Sequence, residues 1–257
     1  MQTNMQKIIA VVNQKGGVGK TTTAVNVAAQ LAGKDRQVLL LDLDPQGNAS
    51  SGLGIDKDQI AIGTYEVLCQ GAALHDAVLP TATKGLFVLP ANNNLAGAEV
   101  DLVSRQRREF CLQMALAHAA YDYIIIDCPP SLGLLTVNAL TVAHSVFIPV
   151  QAEYYALEGL GQLLNTVQRV RETVNPQLDL LGVVITMYDK RTSLSEQVLA
   201  EISNHFGDKL FKTTIPRNVR LAEAPSYGQT IFEHDKWSKG AWAYKALAKE
   251  VVRRSHG

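Results

Sequence analysis

A chain of 257 residues, 47% hydrophobic and 19% charged, can bury a large core and is too apolar for a disordered segment. Basic and acidic residues balance at 24 each, so bulk charge points to no polyanionic partner, although residues 189–257 hold 12 basic against 8 acidic residues. Cys69, Cys111 and Cys128 lack CxxC spacing, which argues against a zinc or iron–sulfur cage, and no apolar run is long enough to span a bilayer.

Short apolar runs alternate with helical periodicity, which predicts strand–helix–strand units and a mostly parallel sheet. Lys7–Val12 reads as a strand and Lys20–Ala32 as a helix stopping near Gly33. Gln37–Leu41 is a strand ending at Asp42, and Leu86–Leu89 a short one followed by a helical region with a long stretch around Ser104–Ala120. Tyr123–Ile126 leads to Asp127, and Ser145–Val150 is a further strand. Helix Leu157–Val174 precedes strand Leu180–Thr186, helix Ser193–Phe206 precedes the short run Leu210–Thr214, and a last helix covers about Trp237–Arg254. Without internal repeats or a low-complexity linker, residues 1–257 are expected to form a single α/β domain of the P-loop NTPase type. Its twisted sheet is expected to carry helices on both faces, with no N-terminal helix-turn-helix extension.

Three segments at strand ends carry chemistry, where open α/β sheets bind ligands. NQKGGVGKTT, Asn13 to Thr22, follows the first strand. Gly16, Gly17, Val18 and Gly19 permit a tight path that turns N–H groups inward, and the helix behind adds partial positive charge. Lys20 can reach the β/γ-phosphates of a nucleotide, and the Thr21 hydroxyl, followed by Thr22, is placed to ligate magnesium. Gln14 stands where the usual pattern has glycine, and Lys15 is a lysine that a simple phosphate cradle does not need. In LLLDLDPQGN, Asp42 and Asp44 leave a buried strand at alternate positions; one should hold magnesium indirectly and the other the attacking water. YDYIIIDCPPSLG ends an apolar strand in Asp127, as a Walker B strand does, and its Pro129-Pro130-Ser131 loop is where a γ-phosphate sensor would sit.

KGGVGKTT, DLDPQGN and IIIDCPPSLG, in this order and spacing, resemble the ParA/Soj group of chromosome-partitioning ATPases, within the wider family that includes MinD. The resemblance extends to PVQAEYYALEGL (Pro149–Leu160) and IPRNVRLAEAPSYG (Ile215–Gly228). It implies ATP and Mg2+ as cofactors, slow hydrolysis stimulated by a ParB-type centromere-binding partner, and a homodimer that closes around two ATP molecules. Lys15 is then similar to an arginine finger that crosses to the other subunit's nucleotide, Asp44 positions the hydrolytic water, and Asp42 and Asp127 form the outer magnesium shell. Met187, Pro216 and Asn218 map to the adenine pocket, and Glu153 to the neighbourhood of the dimer face. Nonspecific double-stranded DNA is the implied polyanion, with Arg191, Arg220, Lys236 and Lys239 as contacts and a nucleoid-associated location in the cytoplasm. The rival is a MinD-like membrane switch, disfavoured because the last turns lack bulky apolar residues, so no stable membrane binding is expected.

Overall fold

The computed structural model describes residues 6–33, 35–153 and 156–256. In chain order it contains β1 (Lys7–Val11), α1 (Lys20–Leu31), β2 (Val38–Asp42), α2 (Asn48–Gly52), α3 (Leu74–Ala77), β3 (Leu79–Pro80) and β4 (Leu86–Leu89). Then follow α4 (Ala98–Val103), α5 (Cys111–Ala115), β5 (Tyr123–Asp127), α6 (Leu134–Val142), β6 (Ser145–Gln151), α7 (Ala156–Thr173), β7 (Asp179–Thr186) and α8 (Ser193–Phe206). Short helices α9 (Val219–Glu223) and α10 (Ile231–His234) precede the long α11 (Lys239–Ser255).

The seven strands form one sheet in the order β3-β4-β2-β5-β1-β6-β7. Six of them run parallel, and the two-residue β3 pairs antiparallel to β4 at the edge. Side chains alternate between the faces of a strand, so a sheet covered on both sides needs apolar residues at nearly every position. Ile8, Ala10 and Val12 join one core cluster with residues of α6, α7 and α8, whereas Ile9 and Val11 join another with α1 and α11. That explains why VLLLD and YIIID are uninterrupted rather than alternating.

Register places the chemistry. Asp127 pairs with Val11 on one side and with Asp42 on the other, so β1, β5 and β2 end level. The phosphate-loop segment, Asp42 and Asp127 therefore share the C-terminal edge of the central strands.

Three expectations are corrected. The stretch around Ser104–Ala120 is not one long helix: Arg107 adopts φ 53°, and only Cys111–Ala115 is α-helical there. Leu210–Thr214 forms no strand, only an isolated bridge from Leu210 to Val183. The last helix begins at Lys239 rather than Trp237, because Ser238 is its N-cap. Tyr154 and Tyr155 of the motif Pro149–Leu160 lie outside the described residues.

Candidate nucleotide-binding site

The glycine loop leads from β1 into α1 with an uncapped helix end. Gly17 and Gly19 have φ of 77° and 83°, values that side-chain-bearing residues rarely adopt. Gly19 is the N-cap and no side chain bonds to the first turn, so the open N–H groups of α1 are left for an anion. Two residues outside the glycines brace this path. The buried Asn13 accepts from the Lys15 N–H at 3.0 Å and donates to the Pro149 carbonyl at 2.8 Å. The Thr186 hydroxyl at the end of β7 donates to the Val18 carbonyl at 2.7 Å.

A cavity of about 580 Å³ opens over the loop, lined among others by Gly16, Lys20, Thr21, Thr22, Asp44 and Pro130. Next to it, a smaller cavity of about 180 Å³ is walled by Met187, Ile215, Pro216, Asn218, Leu221 and Tyr244. Gly19, Thr22 and Met187 border both, so the two adjoin. Polar groups at one end and apolar walls at the other match the two ends of a nucleotide. Two wider clefts, of about 1050 and 820 Å³, lie away from the phosphate loop.

Lys20 is buried and its ammonium donates to the Lys15 carbonyl at 3.3 Å. Burial lowers its pKa, while the Asp127 and Asp44 carboxylates act in the opposite direction. Asp127 is fully buried, and among the described residues no hydrogen bond of ordinary geometry reaches either carboxylate oxygen, although the Thr21 hydroxyl stands close enough to stabilise the charged form. Its pKa lies well above the usual carboxylate range, first through burial and then through the neighbouring Asp42, with the Thr21 hydroxyl and Lys20 pulling the other way. Such an orphaned carboxylate is costly unless a cation completes it.

Asp42 is different. Its Oδ2 accepts from the Ser50 N–H at 2.8 Å and from the Ser50 hydroxyl at 2.6 Å, and its Oδ1 accepts from the Asp44 N–H at 3.3 Å. Burial raises its pKa to about 6 against those bonds. Asp42 thus ties the start of α2 to the strand end, and Asp127 is the carboxylate left free to face a metal. Asp44 lines the cavity and accepts from the Gln46 N–H at 2.9 Å. Among the described residues no cluster of three or more His, Cys, Asp or Glu could cage a metal. Magnesium characteristically uses one or two carboxylates plus phosphates and water, so Asp127 and Thr21 fit it without a cage.

The signature lysine is elsewhere. Lys15 does not line the cavity; its ammonium sits 2.5 Å from the Glu153 carboxylate, with both side chains more than 40% exposed. Glu153 also accepts from the Gln151 amide.

Met187, Pro216 and Asn218 come together on the wall of the smaller cavity. Met187, the residue directly after β7, has φ 51°, a strained conformation for a non-glycine residue. Asn218 is the N-cap of α9, its Oδ1 accepting from the Leu221 N–H at 3.3 Å. Sequence reasoning missed Asn13, Thr186 as a loop brace, and the Thr23–Tyr244 hydroxyl contact of 3.1 Å that joins α1 to α11. Only the polar residue types at loop edges pointed to them.

Among the basic residues, Arg191 is exposed and bound bidentately to Asp189 at 2.9 and 2.7 Å. Arg220 contacts Glu223 at 2.9 Å and Asp235 at 3.7 Å. Lys236 and Lys239 are exposed at the start of α11. Arg254 is structural, stacked on Phe211 and donating to the Leu181, Lys209 and Leu210 carbonyls.

A family described as "AAA domain" matches residues 6–180. The chain is 56% identical over 250 residues to the sporulation initiation inhibitor protein Soj of Bacillus subtilis, covering 96% of this chain and 99% of that protein. It belongs to the ParA/Soj family of ATPases. The chromosome partitioning protein ParA of Caulobacter vibrioides is 50% identical over 258 residues, covering 99% of this chain and 97% of its own. The chromosome-partitioning ATPase Soj of Thermus thermophilus is 54% identical over 246 residues, covering 96% and 95%. Among solved structures, a Mycobacterium smegmatis protein titled cobyrinic acid a,c-diamide synthase, with bound ADP and magnesium, has a TM-score of 0.86 at 41% identity, covering 98% of this chain and 96% of its own. In ParA/Soj terms, the loop over α1 is the deviant Walker A segment and β5 the Walker B strand.

Proposed function

We propose that the protein is a partitioning ATPase whose ATP-bound homodimer binds DNA without sequence preference and lets go after a ParB-type partner stimulates hydrolysis. Residues 1–257 would act as one ATPase unit in the cytoplasm, associated with the nucleoid.

The observation that carries this reading is the separation of the two lysines. Lys20 points into the phosphate cavity, whereas Lys15 stands outside it on Glu153. A cation outside its own cavity is available to a phosphate held by another subunit. A cation supplied in this way offsets charge developing in phosphoryl transfer, a contribution of about 10³–10⁵ in rate for trans-acting fingers. Hydrolysis competence would then depend on dimerisation.

Within one subunit the roles divide by environment. The α1 N–H groups and Lys20 bind the phosphate chain, and Met187, Pro216 and Asn218 hold the base. Asp44 accepts the hydrogen of a water aimed at the γ-phosphate. Thr21 and Asp127 would hold magnesium, which when bound draws charge from the β- and γ-phosphate oxygens. Asp42 keeps the Asp44 loop in register through Ser50.

Sedimentation of the Asp44→Ala protein tests the dimer. ATP should convert it from monomer to dimer, ADP should not, and Lys15→Ala added to the same chain should return it to monomer. A monomer in every nucleotide state contradicts the reading.

A further inference from the structure

The chain has two tryptophans, and both are exposed: Trp237 at 75% and Trp242 at 63%. Ser238 caps α11, its hydroxyl accepting from the Ala241 N–H at 3.1 Å, so Trp237 precedes the cap and Trp242 is the fourth helical residue. A hydrophobic staple uses this pair of positions, but a staple serves by burying the two side chains on one another. Here the core asks nothing of them: α11 buries Ala241, Tyr244, Leu247, Ala248 and Val251 on its other side.

The neighbourhood is basic as well as apolar. The Lys236 ammonium lies 5.4 Å from the centre of the Trp237 ring, and Lys239, in the first turn, has no ion pair among the described residues. Helix α9 abuts the same turn, since a Cβ added at Gly240 would lie 2.6 Å from Leu221 Cγ. Arg220 belongs to the same neighbourhood, its Nε 3.7 Å from the carboxylate of Asp235, the residue before Lys236.

We propose that Trp237 and Trp242, together with Lys236 and Lys239, form a mixed aromatic and basic surface that contacts duplex DNA. The lysines meet phosphates, and the indoles pack on deoxyribose faces and supply a share of affinity that salt does not screen. Charge complementarity favours this occupant over a bilayer. The remaining exposed side of α11 carries Lys245, Lys249 and Arg253, so the indoles are not continued by the apolar helix face that membrane insertion needs. The inference rests on the DNA-binding reading above and adds residues and a contact chemistry to it.

Because there are no other tryptophans in the chain, indole emission reports on this surface alone. The experiment titrates the Asp44→Ala protein with fluorescein-labelled random-sequence duplex in ATP, following DNA anisotropy and tryptophan emission together, with anionic phosphatidylglycerol vesicles in parallel. Emission should change with the same midpoint as anisotropy. Trp237→Ala and Trp242→Ala should each weaken binding by about tenfold, the loss of about 55 Å² of apolar contact per indole, with the slope of log K against log salt unchanged. Lys236→Ala and Lys239→Ala should instead reduce that slope by about 0.9 each. Trp→Phe variants, which keep an aromatic ring, should retain most of the affinity, and thermal melts confirm that each variant folds. Anisotropy that rises with no change in emission and no effect of Trp→Ala overturns the inference while leaving DNA binding in place. No anisotropy change in any nucleotide state overturns the DNA reading and this inference with it. A blue shift on vesicles with none on DNA assigns the surface to a membrane and likewise overturns it.

Discussion

Lys15 and Glu153 form an ion pair within one subunit, with Nζ 2.5 Å from Oε2. The residues are 138 positions apart, so the contact links the phosphate loop to the segment after β6. Both side chains are over 40% exposed, and pairs of that kind are worth about 0–1 kcal/mol. The pair is thus weak enough to exchange when another partner for the lysine arrives.

Lys15→Ala should therefore leave the nucleotide-free fold nearly as stable as the parent. A double-mutant cycle with Glu153→Ala should give a coupling below about 1 kcal/mol in denaturant melts. Partner-stimulated turnover of the same variant should fall by about 10³ or more. A large loss of fold stability, with turnover falling only in proportion, would make Lys15 a structural residue.

Asp44→Ala should bind ATP about as well as the parent and fail to turn it over. Asp44 lines the cavity but takes no bond that braces the phosphate loop; its recorded side-chain contact is with the Gln46 N–H. Nucleotide titration and phosphate release, measured on one preparation, separate the two properties. Loss of ATP binding in a folded protein would contradict the assignment.

The buried carboxylates give the nucleotide-free protein a pH dependence of definite sign. Asp42 titrates at about 6 in the fold against about 3.9 in an unfolded chain, and Asp127 is raised in the same direction. Carboxyl groups raised in this way favour the fold while protonated. Stability is full below pH about 4 and falls as pH rises through about 6, by on the order of 3 kcal/mol for Asp42. Asp127→Asn, which removes a buried carboxyl held against ionisation, should raise the melting temperature of nucleotide-free protein by several degrees at pH 8 and abolish the extra stabilisation that magnesium adds to ATP. Melts with and without magnesium decide it; an Asn variant less stable at pH 8 would mean that Thr21 and Lys20 already satisfy the Asp127 carboxylate.

Thr186→Val keeps the shape and removes the hydroxyl that donates to the buried Val18 carbonyl. An unsatisfied buried acceptor costs about 1–3 kcal/mol, so both the melting temperature and ATP affinity should drop. Thr186→Ser should recover both. An unchanged melt and unchanged affinity in Thr186→Val would show that the methyl group, packed near Gly19, and not the hydroxyl is what matters.

Gly240→Ala tests whether α9 couples the base cavity to α11. The new Cβ would meet Leu221, which walls that cavity beside Asn218, the cap of α9. Nucleotide affinity should weaken although residue 240 touches no part of the site. Unchanged affinity with an unchanged melt would show that Leu221 moves aside freely.

What the sequence revealed was local. The glycines, Lys20 and Thr21 are neighbours along the chain, and Asp42 and Asp127 end apolar runs, so spacing alone located the phosphate end. What it concealed depends on side chains arriving from far away. The stretch around Arg107 looks helical because Arg, Gln and Glu are good helix formers, yet Asn138 donates to the Arg108 carbonyl and accepts from the Leu112 N–H, stabilising a break there. Helix α6 left little local trace because its first turn is served by Glu99, which accepts from the Leu134 N–H at 2.9 Å. Leu210–Thr214 looked like a strand, but the Lys212 and Thr213 N–H groups donate to the Glu250 carboxylate instead of to a neighbouring strand. The division between Asp42 and Asp127 was hidden for the same reason: Ser50 occupies one carboxylate, whereas no hydrogen bond of ordinary geometry reaches the other among the described residues.

ATP should create the DNA-binding form. Binding of the Asp44→Ala protein to random-sequence duplex in ATP, in ADP and without nucleotide, across a salt series, decides it. Binding is expected in ATP alone, indifferent to sequence, steeply weakened by salt and further weakened by Arg220→Ala. Equal binding in all three nucleotide states, or none in ATP, would contradict it.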